Sequence, residues 1–288
     1  MTRHHHDTTQ MDWAEMAPML ERGAELGTPV YRQAAAWLGE LAPPASVRRI
    51  LDVGSGPGVL TTLLAEAFPY AEVVAVDATP PLLERARARA ERLGLADRVQ
   101  TRHAELPGDI DTLGEADLIW SGNALHHIGD QRAALAGLAR RLRPGGLVAL
   151  VEGGLTERHL PRDIGLGRPG LESRLEAVRA EWFAEMRAEL PGFARETEDW
   201  RALLAAAGLT PSGARSFLLD IPAPVTPVVR EYLHTFFTRS RTALEGRLAD
   251  DDIAALDRLL DPEDPQGLAR RPDAYLLAAH TVHTARRG

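Results

Sequence analysis

The chain has 288 residues, 44% of them hydrophobic, with 41 acidic against 33 basic residues and no cysteine. That length can bury a large core in one or two domains. The net charge of −8 argues against a nucleic-acid partner, and the missing thiols exclude disulfides, thiolate metal sites and cysteine nucleophiles. No run approaches the roughly 18 apolar residues of a membrane span, and no secretory signal precedes the first helical pattern. The expectation is therefore a cytoplasmic protein without a membrane partner. All 33 basic residues are arginine, which removes lysine Schiff-base and lysine general-base chemistry.

Residues 1–10 read as a polar, unstructured start, in which His4-His5-His6 resembles a tag more than a metal site. Asp12–Leu20 then spaces Trp13, Met16 and Leu20 helically. Thr28-Pro29 reads as the N-cap and first turn of a second helix reaching Leu41, and Pro43-Pro44 closes this unit. Residues 1–45 are expected to form a helical lid segment ahead of a main domain over 46–288.

From Val47 onward strands and helices alternate, the pattern of a parallel sheet covered on both faces. The first strand, Arg49–Val53, runs into Gly54-Ser-Gly-Pro-Gly58, and the next helix carries Leu60, Leu63 and Leu64 on one face. Glycines there allow a sharp turn and bring backbone N–H groups toward a ligand at a helix N-terminus. The second strand, Glu72–Val76, ends at Asp77, an acid placed to accept from both hydroxyls of a ribose. Thr79 would cap a helix over Leu82–Leu93 that Gly94 ends. Val99–His103 and Asp117–Trp120 are the third and fourth strands. Gln131–Leu142 is helical, Pro144-Gly145-Gly146 stops it, and Leu147–Glu152 is the fifth strand. The dinucleotide fingerprint G-x-G-x-x-G is not met, because Val59 follows Gly58.

These pieces together resemble the class I S-adenosylmethionine-dependent methyltransferases, small-molecule branch. The shared motifs are the run holding Asp52, Gly54, Gly56 and Gly58, the acid Asp77, the Leu125-His-His-Ile128 stretch after the fourth strand, and Arg143-Pro-Gly-Gly146. The likeness is strong over about 46–152. It implies an α/β fold: a Rossmann-like, seven-stranded, mostly parallel sheet in a three-layer sandwich, with a sixth strand at Ala214–Ile221 and a seventh at Tyr275–Ala285. Against that frame, Gly153–Glu196 and Pro222–Pro272 are insertions, largely helical by pattern over Leu171–Leu190 and Thr226–Leu260. The block 46–152 holds only Phe68, Tyr70 and Trp120 among the aromatics, whereas Trp182, Phe183, Tyr232, Phe236 and Phe237 lie in the insertions. Such helices either pack onto the sheet as core or form a lid over an apolar substrate pocket.

The resemblance implies S-adenosylmethionine as methyl-donor cosubstrate and assigns roles to residues. Gly54, Ser55, Gly56 and Gly58 would approach its methionine portion and ribose through backbone contacts. Asp52 would hold loop amides or meet the ammonium, directly or through water. Asp77, with Ala78 beside it, would take the ribose. His103 stands where an aspartate contacting the adenine amino group is usual; a neutral imidazole can accept that bond. Ala104 keeps the small position whose N–H meets the ring. Asn123, the only asparagine of the chain, would face the sulfonium. His126 and His127 are candidate bases, with helix-start packing as the competing role; Glu152, His159 and His234 are alternatives. No ligand spacing specifies a metal among His126, His127 and Glu152, so none is expected.

The leading expectation is methyl transfer to a small, substantially apolar molecule in secondary metabolism, with the added helices as candidate homodimer contacts by analogy. Three alternatives remain: another reaction on the same cofactor, an NAD-dependent dehydrogenase, and a non-catalytic partner of a methyltransferase.

Overall fold

The computed structural model describes residues 13–288, so residues 1–10 and the His4-His5-His6 run lie outside the described residues. Seven strands form one sheet: β1 (Arg49–Val53), β2 (Glu72–Asp77), β3 (Val99–His103), β4 (Ala116–Gly122), β5 (Leu142–Arg158), β6 (Thr210–Ile221) and β7 (Leu276–Arg286). Their order is β3-β2-β1-β4-β5-β7-β6. The first five are parallel, whereas β7 runs antiparallel to both β5 and β6. The helices are α1 (Trp13–Leu26), α2 (Thr28–Leu41), α3 (Val59–Ala67), α4 (Pro80–Arg92), α5 (Gln131–Arg141), α6 (Leu171–Ala188), α7 (Trp200–Ala206), α8 (Pro227–Ala243) and α9 (Asp250–Leu260). None among the described residues is long and apolar enough to cross a membrane.

Side chains alternate between the two faces of a strand, so the apolar runs of the central strands feed two cores. Ile50, Val73, Leu118 and Leu147 join one cluster with α2, α3, α6, α8 and α9. Leu51, Val74, Ile119 and Val148 join the other with α5 and α7. Both inserted helical stretches therefore pack against the same face. The N-terminal helix α1 is tied to α4 by ion pairs at 3.0 Å from Arg85 to Glu21 and from Arg89 to Glu21 and Glu25.

Several local expectations need correction. Thr28 is the first residue of α2 and not its cap; its hydroxyl donates to the Ala24 carbonyl at 3.4 Å, continuing the turn from α1. Thr79 does occupy the N-cap of α4, but its side chain makes no capping bond. Strand β6 starts at Thr210, earlier than Ala214. Most consequential, β5 does not end at Glu152. It continues to Arg158 through a register shift between Val151 and Gly154. Gly153 and Gly154, which resemble chain breakers in sequence, form this irregularity with φ of 71° and 116°. At Gly154 a Cβ would sit 2.0 Å from the Ala279 carbonyl oxygen on β7, so only glycine lets the two strands stay paired there. The segment 153–158 is thereby sheet, and it carries Glu157 past the edge of the central strands.

Candidate active site

The strand order reverses between β1 and β4, which opens a crevice beyond the carboxyl ends of the strands. A cavity of about 500 Å³ fills this crevice. Its walls differ at the two ends.

At one end lies the glycine loop after β1. Gly54 and Ser55 donate their N–H groups to the Val76 carbonyl at 2.8 and 3.0 Å, and Gly58 donates to the Ser55 carbonyl at 3.2 Å. The Gly56 N–H goes to Asp77 Oδ2 at 2.9 Å. These amides are committed inside the protein, and Pro57 has none, so the loop does not aim N–H groups at a ligand as its glycines suggested. It presents the buried Ser55 hydroxyl, which has no hydrogen-bond partner among the described residues, and open space at Gly56, where a Cβ would meet nothing within 4 Å. Such a surface accepts from a cation; phosphate cradles need N–H donors. Gly58 is absent from the cavity wall. Its φ of 80° starts α3, and a Cβ there would lie 2.5 Å from Ala86 Cβ, so its job is to let α3 and α4 approach.

Asp77 is half-buried at the end of β2 and reaches the cavity. One oxygen holds the Gly56 amide and the other accepts from the Thr79 amide at 2.9 Å. Each oxygen keeps a further lone pair for an incoming hydroxyl. Asp52 also lines the cavity but does not hold loop amides: its Oδ2 accepts from the Thr61 hydroxyl on α3 at 2.6 Å. Burial pushes its pKa up to about 7; the Thr61 bond opposes this and the Asp77 charge adds to it.

The strand β3 end departs from expectation. His103 is exposed, is absent from the cavity wall, and its Nε2 lies 3.1 Å from the Ala78 carbonyl at the rim. Ala104 is buried and lines the cavity, but its N–H donates to the Asp77 carbonyl at 3.1 Å. Ala78 lines the cavity beside Asp77.

Asn123 lies at the cavity margin, exposed, with its N–H on the Val151 carbonyl at 2.9 Å. Its φ of 52° is left-handed, a conformation asparagine tolerates better than most residues, which supplies a backbone reason for an asparagine here. The next turn, Leu125–His127, is held from below by buried Glu152, which accepts from the Leu125 N–H at 3.0 Å and pairs with His126 Nδ1 at 2.6 Å. Arg187 of α6 donates to the His126 carbonyl at 2.6 Å. His126 and Glu152 thus form a support beside the cavity and not part of its wall. His127 is in the wall, packed edge-on to Phe183 at 5.7 Å. Burial, then the charges of His126 and Arg187, push its pKa down to about 3, so its ring is neutral at neutral pH. His234 is exposed and His159 fully buried, and neither lines the cavity.

The other end is built by residues that carry no sequence motif. Tyr31 of α2, Glu157 of β5, Tyr232 of α8 and His280 of β7 converge there, covered by Met16 and Met19 of α1. Tyr232 donates its hydroxyl to both Glu157 oxygens at 3.0 Å. His159 stands behind, with Nε2 on Glu157 at 3.1 Å and Nδ1 on Glu172 at 2.9 Å. Burial alone would raise the Glu157 pKa, but His159, Tyr232 and His280 hold it below the ordinary value. Burial disfavours the His159 cation, yet the two carboxylates raise its pKa. The Tyr31 and His280 rings lie 5.4 Å apart, and burial pushes the Tyr31 pKa up to about 12.

The doubly wound sheet places its cavity, with Asp77 in the wall, at the switch point where such α/β folds bind ligands. Residues 50–146 match the model of a methyltransferase domain. An uncharacterised methyltransferase of Mycobacterium bovis is 33% identical over 210 residues, covering 70% of this chain and 76% of that protein. The ribosomal protein L11 methyltransferase of Symbiobacterium thermophilum is 34% identical over 203 residues, covering 67% of this chain and 57% of the relative. Trans-aconitate 2-methyltransferase of Methylobacterium radiotolerans is 37% identical over 118 residues, covering 40% and 42%. Several curated relatives are matched over only 25% to 57% of their own length. The crystal structure of the YcgJ protein of Bacillus subtilis shares the fold, with a TM-score of 0.51 at 21% identity over 89% of this chain and 99% of that one. The chain belongs to the class I S-adenosylmethionine-dependent methyltransferases, a family whose methyl donor is S-adenosylmethionine.

Proposed function

We propose that the protein transfers the methyl group of S-adenosylmethionine to a small, substantially apolar acceptor, in secondary metabolism. The observation that carries this reading is one cavity with two unlike ends, a polar end at the glycine loop and an aromatic, methionine-rich end at Tyr31, Tyr232 and Met19. At the polar end Asp77 would hold the ribose hydroxyls, and Asp52 with the Ser55 hydroxyl would meet the methionine portion. The orphaned Ser55 oxygen, the open space at Gly56 and the acidic lining fit that ligand. When bound, S-adenosylmethionine supplies a methyl group already activated by its sulfonium.

The chain's own task is alignment and exclusion of water. Asn123 and His127, both in the cavity wall, would position the acceptor. The N-terminal segment 1–45 and the insertion 222–272 would act as its lid, since α1 and α8 supply the methionines and Tyr232.

The test is mass analysis of full-length protein incubated with S-adenosylmethionine and a panel of small apolar acceptors. S-Adenosylhomocysteine should appear together with a product one methyl heavier. S-Adenosylhomocysteine formation with an acceptor changed in any other way would sink methyl transfer as the reaction.

A further inference from the structure

The charged side chains in the cavity wall have one sign. Among the described residues lining the cavity, the ionisable acids are Asp52, Asp77 and Glu157, and no arginine is present. Asp52 and Asp77 belong to the glycine-loop end, which leaves Glu157 as the carboxylate at the aromatic end. Its side chain is 28% exposed; it lines this cavity and, on its far side, a small pocket shared with Arg158, Glu172 and Arg179. The positive groups near it, His159 and Arg179, stand behind the wall, as does Glu172. His280 also lines the cavity, from β7; burial lowers its pKa and the Glu157 charge opposes this. Tyr232 from α8 donates to Glu157, and Tyr31 flanks it.

We propose that the acceptor is an amine on an apolar body, held at its nitrogen by the Glu157 carboxylate. This rests on the methyl-transfer reading and narrows it to nitrogen. An anionic acceptor, whether carboxylate, phenolate or phosphate, would meet Glu157 with no cation to pair with, in a site where repulsion is poorly screened. An amine meets the opposite situation. A protonated amine first gives one proton to solvent. Its nitrogen lone pair then forms the bond to the methyl carbon while the carbon–sulfur bond breaks, and that electron pair stays on sulfur as S-adenosylhomocysteine. Positive charge leaves sulfur and appears on nitrogen. A fixed carboxylate next to that nitrogen stabilises the charge as it develops, which is differential stabilisation of the transition state. The aromatic rings of Tyr31 and Tyr232 suit the same cation. Because Glu157 is held ionised by His159 and Tyr232, it is a better counter-charge than a proton acceptor.

The experiment is calorimetry on the full chain with S-adenosylhomocysteine present, titrated with 2-phenylethylamine, 2-phenylethanol and 3-phenylpropionate. The amine is expected to bind at least about tenfold more tightly than the acid, the scale of one charged hydrogen bond. Glu157→Gln should remove that preference while S-adenosylhomocysteine affinity stays the same. Preference for the acid, or no difference among the probes, overturns the inference in the wild-type protein alone, whatever the variant's folding. Loss of S-adenosylhomocysteine binding by the wild type would overturn the methyl-donor reading as well, so the two failures are distinguishable.

Discussion

The carboxylate of Asp77 holds the backbone N–H of Gly56 at 2.9 Å, joining the end of β2 to the tip of the loop after β1. The acid assigned to the ribose is therefore also the clasp that shapes the loop.

Removing it should act twice. Asp77→Ala deletes two hydroxyl acceptors and frees the Gly56 and Thr79 amides. S-Adenosylhomocysteine binding should weaken by about 1.5–3 kcal/mol, the range for hydrogen bonds to charged groups. Calorimetry on a folded variant checks this, and unchanged affinity would refute the ribose assignment. Faster amide exchange at Gly56 would report the lost clasp separately.

The proposed contact of Asp52 with the ligand ammonium predicts binding that depends on pH. With a pKa of about 7, the carboxyl would have to lose its proton to pair with the incoming ammonium at mildly acidic pH. Affinity for S-adenosylhomocysteine should rise from pH 6 to pH 8, with proton release visible in buffers of different ionisation enthalpy. Stability runs the other way. The folded pKa lies above the unfolded one, so the contribution is complete below the ordinary aspartate value and is lost as pH rises through about 7. Asp52→Asn should flatten both dependences and raise the melting temperature at pH 8, with Thr61 still donating to the amide oxygen. A wild-type affinity flat between pH 6 and 8 contradicts the assignment.

The paired histidines should separate. His126→Ala strips Glu152 of its 2.6 Å partner and leaves a buried carboxylate with only the Leu125 amide, at a cost of about 1–3 kcal/mol in stability. His127→Ala should reduce kcat by less than about tenfold, because an imidazole with pKa near 3 is a weak base. The check is kcat against pH for each folded variant. A loss near 10³-fold for His127→Ala, within the range general-base catalysis gives, would make it the base instead.

How much of this was legible in the sequence follows from how local each feature is. The strand–glycine–helix unit and Asp77 were readable because a turn and a strand end are set by neighbouring residues. The destination of the loop amides was not, since they bond to Val76 and Asp77 across a strand pairing that the sequence does not print. Gly58 looked like its two neighbours but serves Ala86, a residue on another helix. His103 took its role from position alone, and the side chain turns to the rim. The acceptor end was invisible. Tyr31, Glu157, Tyr232 and His280 come from four separate elements, and Glu157 arrives only because β5 continues through Gly153 and Gly154 past its expected end at Glu152. The excess of aromatics in the insertions was the one signal, and it suggested core packing or a lid without naming which residues face inward.

The central claim is that the crevice beyond β1 and β2 is a site for S-adenosylmethionine. Calorimetric titration of the wild-type chain with S-adenosylhomocysteine and, separately, with NAD tests it most directly. The expected result is a dissociation constant on the order of micromolar or tighter for S-adenosylhomocysteine, roughly −8 kcal/mol, and no comparable binding of NAD. Binding of NAD with no binding of S-adenosylhomocysteine would contradict it.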